Sequence, residues 1–188
     1  LLRDGGCTHI SAYLLKVEPG TAFYRSPPAG LPDGDAAADF YLYAVQQLEA
    51  AGYRQYEISN FARPGHEGRH NLLYWNCNDY WGIGPAAHSC VDNVRRFWPG
   101  DVQGFIDGTI HEEIEGDCTV EDYLLMQLRL VSGLDIAEYE RRGGRFTAAQ
   151  RAFMRQCVGH EYATLDGNVF RLTPAGMVVQ NAILAELI

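Results

Sequence analysis

Apolar residues in the first sixty positions alternate between patterns typical of strands and one typical of a helix. Residues 8–17 (THISAYLLKV) form a β-rich, almost continuously apolar run, which predicts a strand covered on both faces, as in a parallel sheet. Apolar residues then recur at helical spacing over 40–51, after Asp33 or Asp35, either of which can cap a helix. Residues 53–61 (YRQYEISNF) predict a second strand. Strand, helix and strand in this order predict one right-handed βαβ unit.

The second half of the sequence is rich in signals for helix starts. Between the halves, the sequence predicts a short strand over 93–98 and a short helix over 101–106. Four helices are then predicted: from Thr119 through Val131, over 135–142, from Thr147 through Cys157 and from Thr173 through Leu187. A hairpin is predicted at 165–172. Thr119 and Thr147 have the capping-box spacing, and Asp166-Gly167 is a hairpin signal. Helices, a hairpin and a final helix in this order resemble a winged-helix layout. We therefore predict a mainly helical domain over 109–188 and a separate domain over 1–108.

One βαβ unit cannot form a sheet with two covered faces. The simplest expectation is therefore that the chain is the last part of a larger α/β sheet. The first six residues contain no methionine and lack the charged-then-apolar layout of a signal peptide. We therefore expect the chain to be a fragment of a longer polypeptide.

Composition narrows the classes of protein and of partner. A hydrophobic content of 47% and a charged content of 21% are those of a soluble globular protein. No stretch approaches eighteen uncharged apolar residues, so no membrane span is predicted. The net charge is −9 and Lys16 is the single lysine among 15 basic residues, which argues against a nucleic-acid partner.

The five cysteines lie 13 to 70 residues apart and form no C-x-x-C pair. This spacing predicts neither a disulfide framework nor a zinc site. We interpret the cysteines as small, mostly buried apolar residues, and a reducing cytoplasm as the compartment that fits them best.

The most informative segment is Arg69–Trp75 (RHNLLYW), followed closely by Tyr80–Ser89 (YWGIGPAAHS). Together they hold imidazoles, an amide, large aromatic rings and two glycines, which suit a planar, partly apolar ligand in a loop. His70 can offer an imidazole nitrogen to a metal centre or a polar group, while Tyr74 and Trp75 stack on the ligand. The alternative is that His70 and Asn71 bond to loop backbone and that the aromatic rings belong to the core.

Further candidates are two glycines, two carboxylates and a second histidine. Gly82 and Gly84 predict a tight turn into the N-terminus of a helix, which could bind an anion, and His88 could be a ligand or a satisfied helix residue. Glu18 follows the first predicted strand, at the sheet edge where ligands usually bind; the alternative is a solvated loop residue. Glu57 lies within the second strand, where burial would require a partner, for which Arg54, Arg63 and Arg69 are the candidates.

Five motifs together resemble one family. They are HISAYLLKVEPGTAFY (9–24), YEISNFARPG (56–65), HNLLYW (70–75), GIGPAAHS (82–89) and RLTPAG (171–176). The chain resembles the radical S-adenosylmethionine proteins related to oxygen-independent coproporphyrinogen III oxidase, and within them most closely the haem-chaperone branch, HemW. The resemblance covers nearly the whole chain.

The resemblance implies a fold and a site. The fold would be the last strands and helices of a partial (β/α)6 radical-SAM barrel, followed by the family's helical C-terminal domain. The haem-binding HNxxYW signature would map onto His70, Asn71, Tyr74 and Trp75, with His70 as the favoured contact with haem. Residues near S-adenosylmethionine would lie around Glu18, Gly82, Gly84 and His88.

One departure from the family limits what the chain can do. The C-x-x-x-C-x-x-C motif, which holds a [4Fe–4S] cluster in the family, is missing from the chain. The cluster and S-adenosylmethionine are therefore expected only in a full-length parent, and the chain alone should perform no radical chemistry. We expect a part of a haem chaperone that binds haem or porphyrin and passes haem to an acceptor protein. The alternatives are a fragment of a coproporphyrinogen III oxidase and an inert folded fragment.

Overall fold

The structure is a computed structural model that describes residues 5–188, so the first four residues of the predicted first domain lie outside it. Within the described residues, the strands form three antiparallel sheets of three strands each, and helices flank them. The predicted mixed α/β class is confirmed. No helix in this part of the chain is long and apolar enough to cross a membrane.

The first sheet contains β1 (His9–Ser11), β2 (Arg54–Glu57) and β3 (Asn60–Ala62), in the order β1-β3-β2. Both β1 and β2 run antiparallel to β3. The single strand predicted over 53–61 is therefore a hairpin, and the predicted parallel βαβ pairing is wrong. The physical reason is that the chain reverses at 58–59 and inserts β3 between the other two strands.

The apolar run that follows β1 is exposed. Tyr13 and Leu15 are 71% and 63% exposed, and no strand among the described residues pairs with 12–17. The strand predicted over 8–17 is thus present only as His9–Ser11, and the predicted cover on both faces is wrong, because β1 is an edge strand whose residues are half-buried or exposed. An apolar pattern indicates that a segment can be buried, but the covering strand has to come from elsewhere.

Two helices precede the hairpin, α1 (Ala22–Arg25) and α2 (Gly34–Ala50). The Asp33 side chain caps α2 by accepting the Ala36 N–H at 2.9 Å, as predicted. Gly52 follows the helix with φ +86°, a conformation that suits glycine. These local signals placed α2 correctly.

The second sheet lies after helix α3 (Arg69–Trp75). It contains β4 (His88–Val91), β5 (Val94–Phe97) and β6 (Glu113–Asp117) in the order β4-β5-β6, with helix α4 (Val102–Asp107) between β5 and β6. β5 and α4 confirm the strand and the helix predicted over 93–98 and 101–106. Asp101 caps α4 by accepting the Gly104 N–H at 3.0 Å.

The remaining elements form the C-terminal part. They are α5 (Val120–Gln127), β7 (Leu134–Asp135), α6 (Ile136–Arg141), α7 (Ala148–Gly159), β8 (Ala163–Asp166), β9 (Val169–Leu172), α8 (Pro174–Val178) and α9 (Gln180–Leu187). Both predicted capping boxes, at Thr119 and Thr147, are present, and β8 and β9 form the predicted hairpin.

Two helices in this part are shorter than predicted. α5 ends four residues before Val131, because the following segment hydrogen-bonds to the first sheet: the Ile58 N–H donates to the Arg129 carbonyl at 3.0 Å, and the Val131 N–H donates to the Tyr56 carbonyl at 3.1 Å. The closing helix is divided into α8 and α9 at Val179, where φ is −104° and ψ is 19°. Adjacent β-branched residues, Val178 and Val179, disfavour a continuous helix there.

One hydrophobic core joins both halves of the described chain. It combines Tyr41, Val45 and Phe61 from the first half with residues such as Leu128 and Phe170 from the second. The boundary predicted at 108 therefore stays a prediction, and the two regions share buried contacts. Because of that shared core, the first sheet is held against the C-terminal helices, and α3 packs separately against α5.

Candidate functional site

The four HNxxYW residues lie on a short helix, α3, and not in the predicted loop. Its N-cap is Gly68, and no side chain caps it. Helical spacing places His70 one turn before Tyr74, and the Tyr74 hydroxyl forms a hydrogen bond with His70 Nε2. The two rings meet edge to face at 4.8 Å. His70 is exposed and Tyr74 is half-buried.

Asn71 faces the first sheet. Its Nδ2 donates to the Tyr56 hydroxyl at 3.4 Å, and that hydroxyl also pairs with His9 Nε2 at 2.8 Å. Burial raises the pKa of Tyr56, so its hydroxyl stays protonated and can link the two side chains. A Cβ at Gly68 would come within 2.7 Å of this hydroxyl. Asn71 therefore connects α3 to β1 and β2.

Trp75 faces the C-terminal part. The Arg129 guanidinium lies over its ring, 4.6 Å from the centroid, a cation–π contact. Gln127 Nε2 donates to the Trp75 carbonyl at 2.7 Å. One face of Trp75 is thus occupied by Arg129, and its buried Nε1 has no hydrogen-bond partner among the described residues.

A small cavity lies on the other side of α3. Its volume is about 260 Å³, and its lining includes Tyr74, Trp75, Tyr80, Cys90, Cys118 and Met126. The Tyr74 and Tyr80 rings meet edge to face at 4.4 Å, and burial raises the pKa of Tyr80. Enclosed sites for small molecules begin at about 300 Å³. This cavity is therefore too small to enclose a macrocycle, whereas His70 is exposed to solvent.

The four residues predicted to lie near S-adenosylmethionine do not form one cluster. Glu18 lies in an exposed loop, where Lys16 Nζ pairs with it at 2.7 Å. Among the described residues, no hydrogen bond, ion pair or ring contact joins Glu18 to Gly82, Gly84 or His88.

The predicted turn into a helix at Gly82 and Gly84 is wrong, because strand β4 follows it. Gly82 passes against that strand: a Cβ there would lie 2.2 Å from the His88 carbonyl oxygen, and its N–H donates to the Ser89 hydroxyl at 3.1 Å. Gly84 has φ +109°, a backbone conformation that side chains other than glycine rarely adopt. Packing and conformation account for both glycines without an anion site.

His88 is satisfied by its neighbours in the second sheet. Its Nδ1 lies 3.4 Å from a Glu115 carboxylate oxygen, and its ring stacks on Phe97 with centroids 5.7 Å apart. Phe97 comes from the adjacent strand β5, and Glu115 comes from β6 on the far side of β5. This arrangement agrees with the interpretation of His88 as a satisfied side chain, although it is on a strand and not on a helix.

Glu57 is fully buried, and its partner differs from the predicted arginines. Asn60 Nδ2 donates to Glu57 Oε1, and Ser11 Oγ donates to Asn60 Oδ1 at 2.5 Å. The hairpin register pairs Glu57 with Asn60, whereas the Arg63 guanidinium lies over the Tyr53 ring. The sequence signal for this pair was their spacing of three residues across a tight turn.

Comparison with known proteins gives the chain its family. No family model matches the sequence. The haem chaperone HemW of Mycobacterium tuberculosis (strain CDC 1551 / Oshkosh) is 33% identical over 98% of this chain, and HemW of Escherichia coli (strain K12) is 32% identical over 94% of it. The chain belongs to the HemW-like radical S-adenosylmethionine family. It spans about half of these relatives, 48% of the length of each.

Two further comparisons are consistent with this HemW-like membership. A mitochondrial radical S-adenosyl methionine domain-containing protein of Bos taurus is 37% identical over 62% of the chain and 26% of its own length. Among solved structures, the coproporphyrinogen III oxidase HemN from Escherichia coli, described as a radical SAM enzyme, matches with a TM-score of 0.60. It covers 84% of this chain and 42% of HemN at 18% identity, which is a likeness of fold.

In the described part of the HemW-like chain, no group of three His, Cys, Asp or Glu side chains could hold a metal ion. Two residues that contact α3, Tyr56 and Arg129, were not singled out in the sequence, because they meet α3 only through tertiary contacts. Tyr56 does stand in the YEISNFARPG motif, which was the available signal for it.

Proposed function

We propose that this chain is the part of a HemW-like haem chaperone that binds haem on the outer side of α3, with His70 as the iron ligand. The observation that carries the proposal is that some side chains of the HNxxYW motif contact the rest of the chain while another is exposed to solvent. Asn71 and Trp75 hold the helix to its surroundings, while His70 remains exposed. An exposed imidazole on an anchored helix is available to an iron centre.

The proposed cargo would be delivered to an acceptor protein, as the name of the relatives suggests. An exposed site favours transfer, because the ligand does not have to leave an enclosed cavity. To test this step, the haem-loaded chain is mixed with an apo-haem protein and the Soret band of the chain is followed. The chain is expected to lose its band, and retention of the band by the chain would contradict delivery.

The proposed parent is a radical-SAM barrel to which this chain contributes late strands and a C-terminal helical domain. The exposed run at 12–17 supports this arrangement, because its apolar side chains would be buried by further strands. In such a parent, a [4Fe–4S] cluster with S-adenosylmethionine would supply radical chemistry. The described residues of this chain would supply the haem-binding surface.

Replacing His70 by alanine is expected to weaken haem binding by about tenfold or more, about 1.4 kcal/mol. The expected cause is loss of the iron ligand. Haem is titrated into the purified chain and the Soret shift is followed. His66→Ala is the matched control, since His66 is an exposed imidazole four residues away. Equal affinities for His70→Ala and the wild type would reject His70 as the ligand.

Replacing Tyr74 by phenylalanine is expected to tighten haem binding by about fivefold. In the structure, the Tyr74 hydroxyl occupies His70 Nε2, so ligation through that nitrogen has to break a hydrogen bond of about 1 kcal/mol. The same titration measures the change, with the exposed Tyr43→Phe as the control. Weaker binding by Tyr74→Phe would instead indicate that the hydroxyl contacts the ligand.

A further inference from the structure

Cys90 and Cys118 come together although 28 positions separate them. Their Sγ atoms are 3.2 Å apart. Cys90 lies on β4, and Cys118 lies directly before Thr119, the N-cap of α5. The sequence spacing predicted no disulfide, and both cysteines are free thiols in the structure. Their separation is about 1 Å more than a disulfide bond of about 2.05 Å.

Hydrogen bonds fix the backbone of both cysteines. Cys90 exchanges a pair of bonds with Tyr80, in which the Tyr80 N–H donates at 2.8 Å and the Cys90 N–H donates at 3.0 Å. The Cys118 N–H donates to the Asn93 carbonyl at 2.8 Å, and Asn93 Nδ2 donates to the Cys118 carbonyl at 2.8 Å. The two thiols therefore face each other from segments that are held in place.

The thiols also line a space that a small reagent can enter. Cys90 and Cys118 are part of the lining of the cavity beside α3, which is about 260 Å³ in volume and partly open to solvent. Cys90 is buried and Cys118 is half-buried, so a reagent would meet Cys118 first. Cys77 lines the same cavity. Among the described residues, no hydrogen bond joins the Cys77 thiol to Cys90 or Cys118.

We propose that Cys90 and Cys118 form a dithiol site that a small-molecule disulfide converts into a protein disulfide. The Cys118 thiolate attacks one sulfur of the reagent R–S–S–R, forms a mixed disulfide and releases one R–S⁻, which takes up a proton. The Cys90 thiol then loses its proton and attacks the Cys118 sulfur, and the second R–S⁻ leaves. Two protein thiols are oxidised, and one reagent disulfide is reduced to two thiols.

The environment of the pair sets the rate of the reaction and the stability of its product. Burial and the hydrogen bond with Cys90 raise the pKa of Cys118 to about 12. The charged groups that face the site are Arg95 and Asp122, of which Arg95 lowers and Asp122 raises this pKa. Thiolate is therefore scarce at neutral pH, so the exchange is slow and accelerates as the pH rises. The product is correspondingly hard to reduce, because its thiolates are not stabilised.

The test is oxidation of the fully reduced chain by oxidised dithiothreitol in the absence of oxygen, at pH 7 and pH 9. In this cyclic reagent the first R–S⁻ stays on the opened ring, and both sulfurs leave after the second step as one molecule of reduced dithiothreitol. The expected product has lost about 2 Da, two hydrogens, and forms faster at the higher pH. The remaining thiols are then alkylated and the chain is cleaved before aspartate. Cleavage before Asp79 separates Cys77 from Cys90, so the Cys90–Cys118 peptide pair is identified without ambiguity.

Variants decide between this pair and other thiols. Cys118→Ser is expected to abolish the loss of mass, and Cys7→Ser, which removes an exposed cysteine, is expected to leave it unchanged. Because Cys90→Ser replaces a buried side chain, the half-buried Cys118 is the preferred site for substitution. A disulfide of Cys77 with either partner, or an unchanged mass with all five cysteines alkylated, would overturn the proposal. Both results can be read without any haem, so they are independent of the proposed function.

Discussion

Replacing Asn60 by alanine is expected to lower the free energy of unfolding by about 3 kcal/mol. Asn60 is 2% exposed and Glu57 is fully buried. Asn60 Nδ2 is the hydrogen-bond donor to Glu57 Oε1, and Glu57 Oε2 has no partner among the described residues. The substitution leaves a buried carboxyl group without a donor and also removes the acceptor of the Ser11 hydroxyl. Urea denaturation followed by circular dichroism measures the change.

Two further variants separate this explanation from a general effect of truncation. Asn78→Ala removes the same amide from an exposed position, and a change within about 0.5 kcal/mol is expected. The double variant Glu57→Leu with Asn60→Ala should recover part of the loss, because no buried carboxyl group remains. A loss below about 1 kcal/mol for Asn60→Ala alone would show that Glu57 does not depend on this donor.

Replacing Gly82 by alanine is expected to destabilise the protein by about 3 kcal/mol. The new Cβ would lie 2.2 Å from the His88 carbonyl oxygen and 2.9 Å from the His88 carbonyl carbon. Both atoms belong to the backbone of β4, so neither can move away without disturbing the strand. The hydrogen bond from the Gly82 N–H to Ser89 Oγ would be disturbed with it. Thermal or urea denaturation of the chain without ligand is the measurement.

Gly84→Ala is the matched comparison, because it changes the other glycine of the same loop. A Cβ at Gly84 would meet no atom within 4 Å, and the strain there comes only from φ +109°. A loss of about 1 kcal/mol is expected. If Gly84→Ala destabilised the ligand-free chain more than Gly82→Ala, the packing explanation for Gly82 would be wrong.

The sequence predicted best the features that depend on local interactions. The caps at Asp33, Thr119 and Thr147 each place a side-chain acceptor beside the backbone N–H of the residue three positions later, and such pairs are visible as residue types at fixed spacing. The hairpin over 165–172 was visible for the same reason.

Features that depend on distant partners could not be predicted in the same way. The hairpin at 54–62 was interpreted as one strand, because the turn at Ile58 and Ser59 contains no glycine or proline. Helix α3 was interpreted as a loop, since its N-cap, Gly68, provides no capping side chain. The contact between Cys90 and Cys118 depends on hydrogen bonds between Cys118 and Asn93, which is 25 positions earlier in the sequence.

The role of the HNxxYW residues as a haem site stays a prediction. The structure places His70, Asn71, Tyr74 and Trp75 on one helix, where they contact different neighbours. The motif contains no information about Arg129, which covers one face of Trp75 from a segment more than fifty residues later. A ligand that stacks on Trp75 would have to use the other face of the ring or displace Arg129.

Helix α3 has seven residues and no capping side chain. An isolated helix in water is marginal below about 12–15 residues, so its shape depends on Asn71 and Trp75 being held by the rest of the chain. A synthetic peptide with the sequence of residues 69–75 would therefore be unfolded, and its imidazole and phenol groups would have no fixed separation. Haem affinities measured on such a peptide would describe free histidine and tyrosine side chains. Measurements on the surface of α3 therefore require the folded chain.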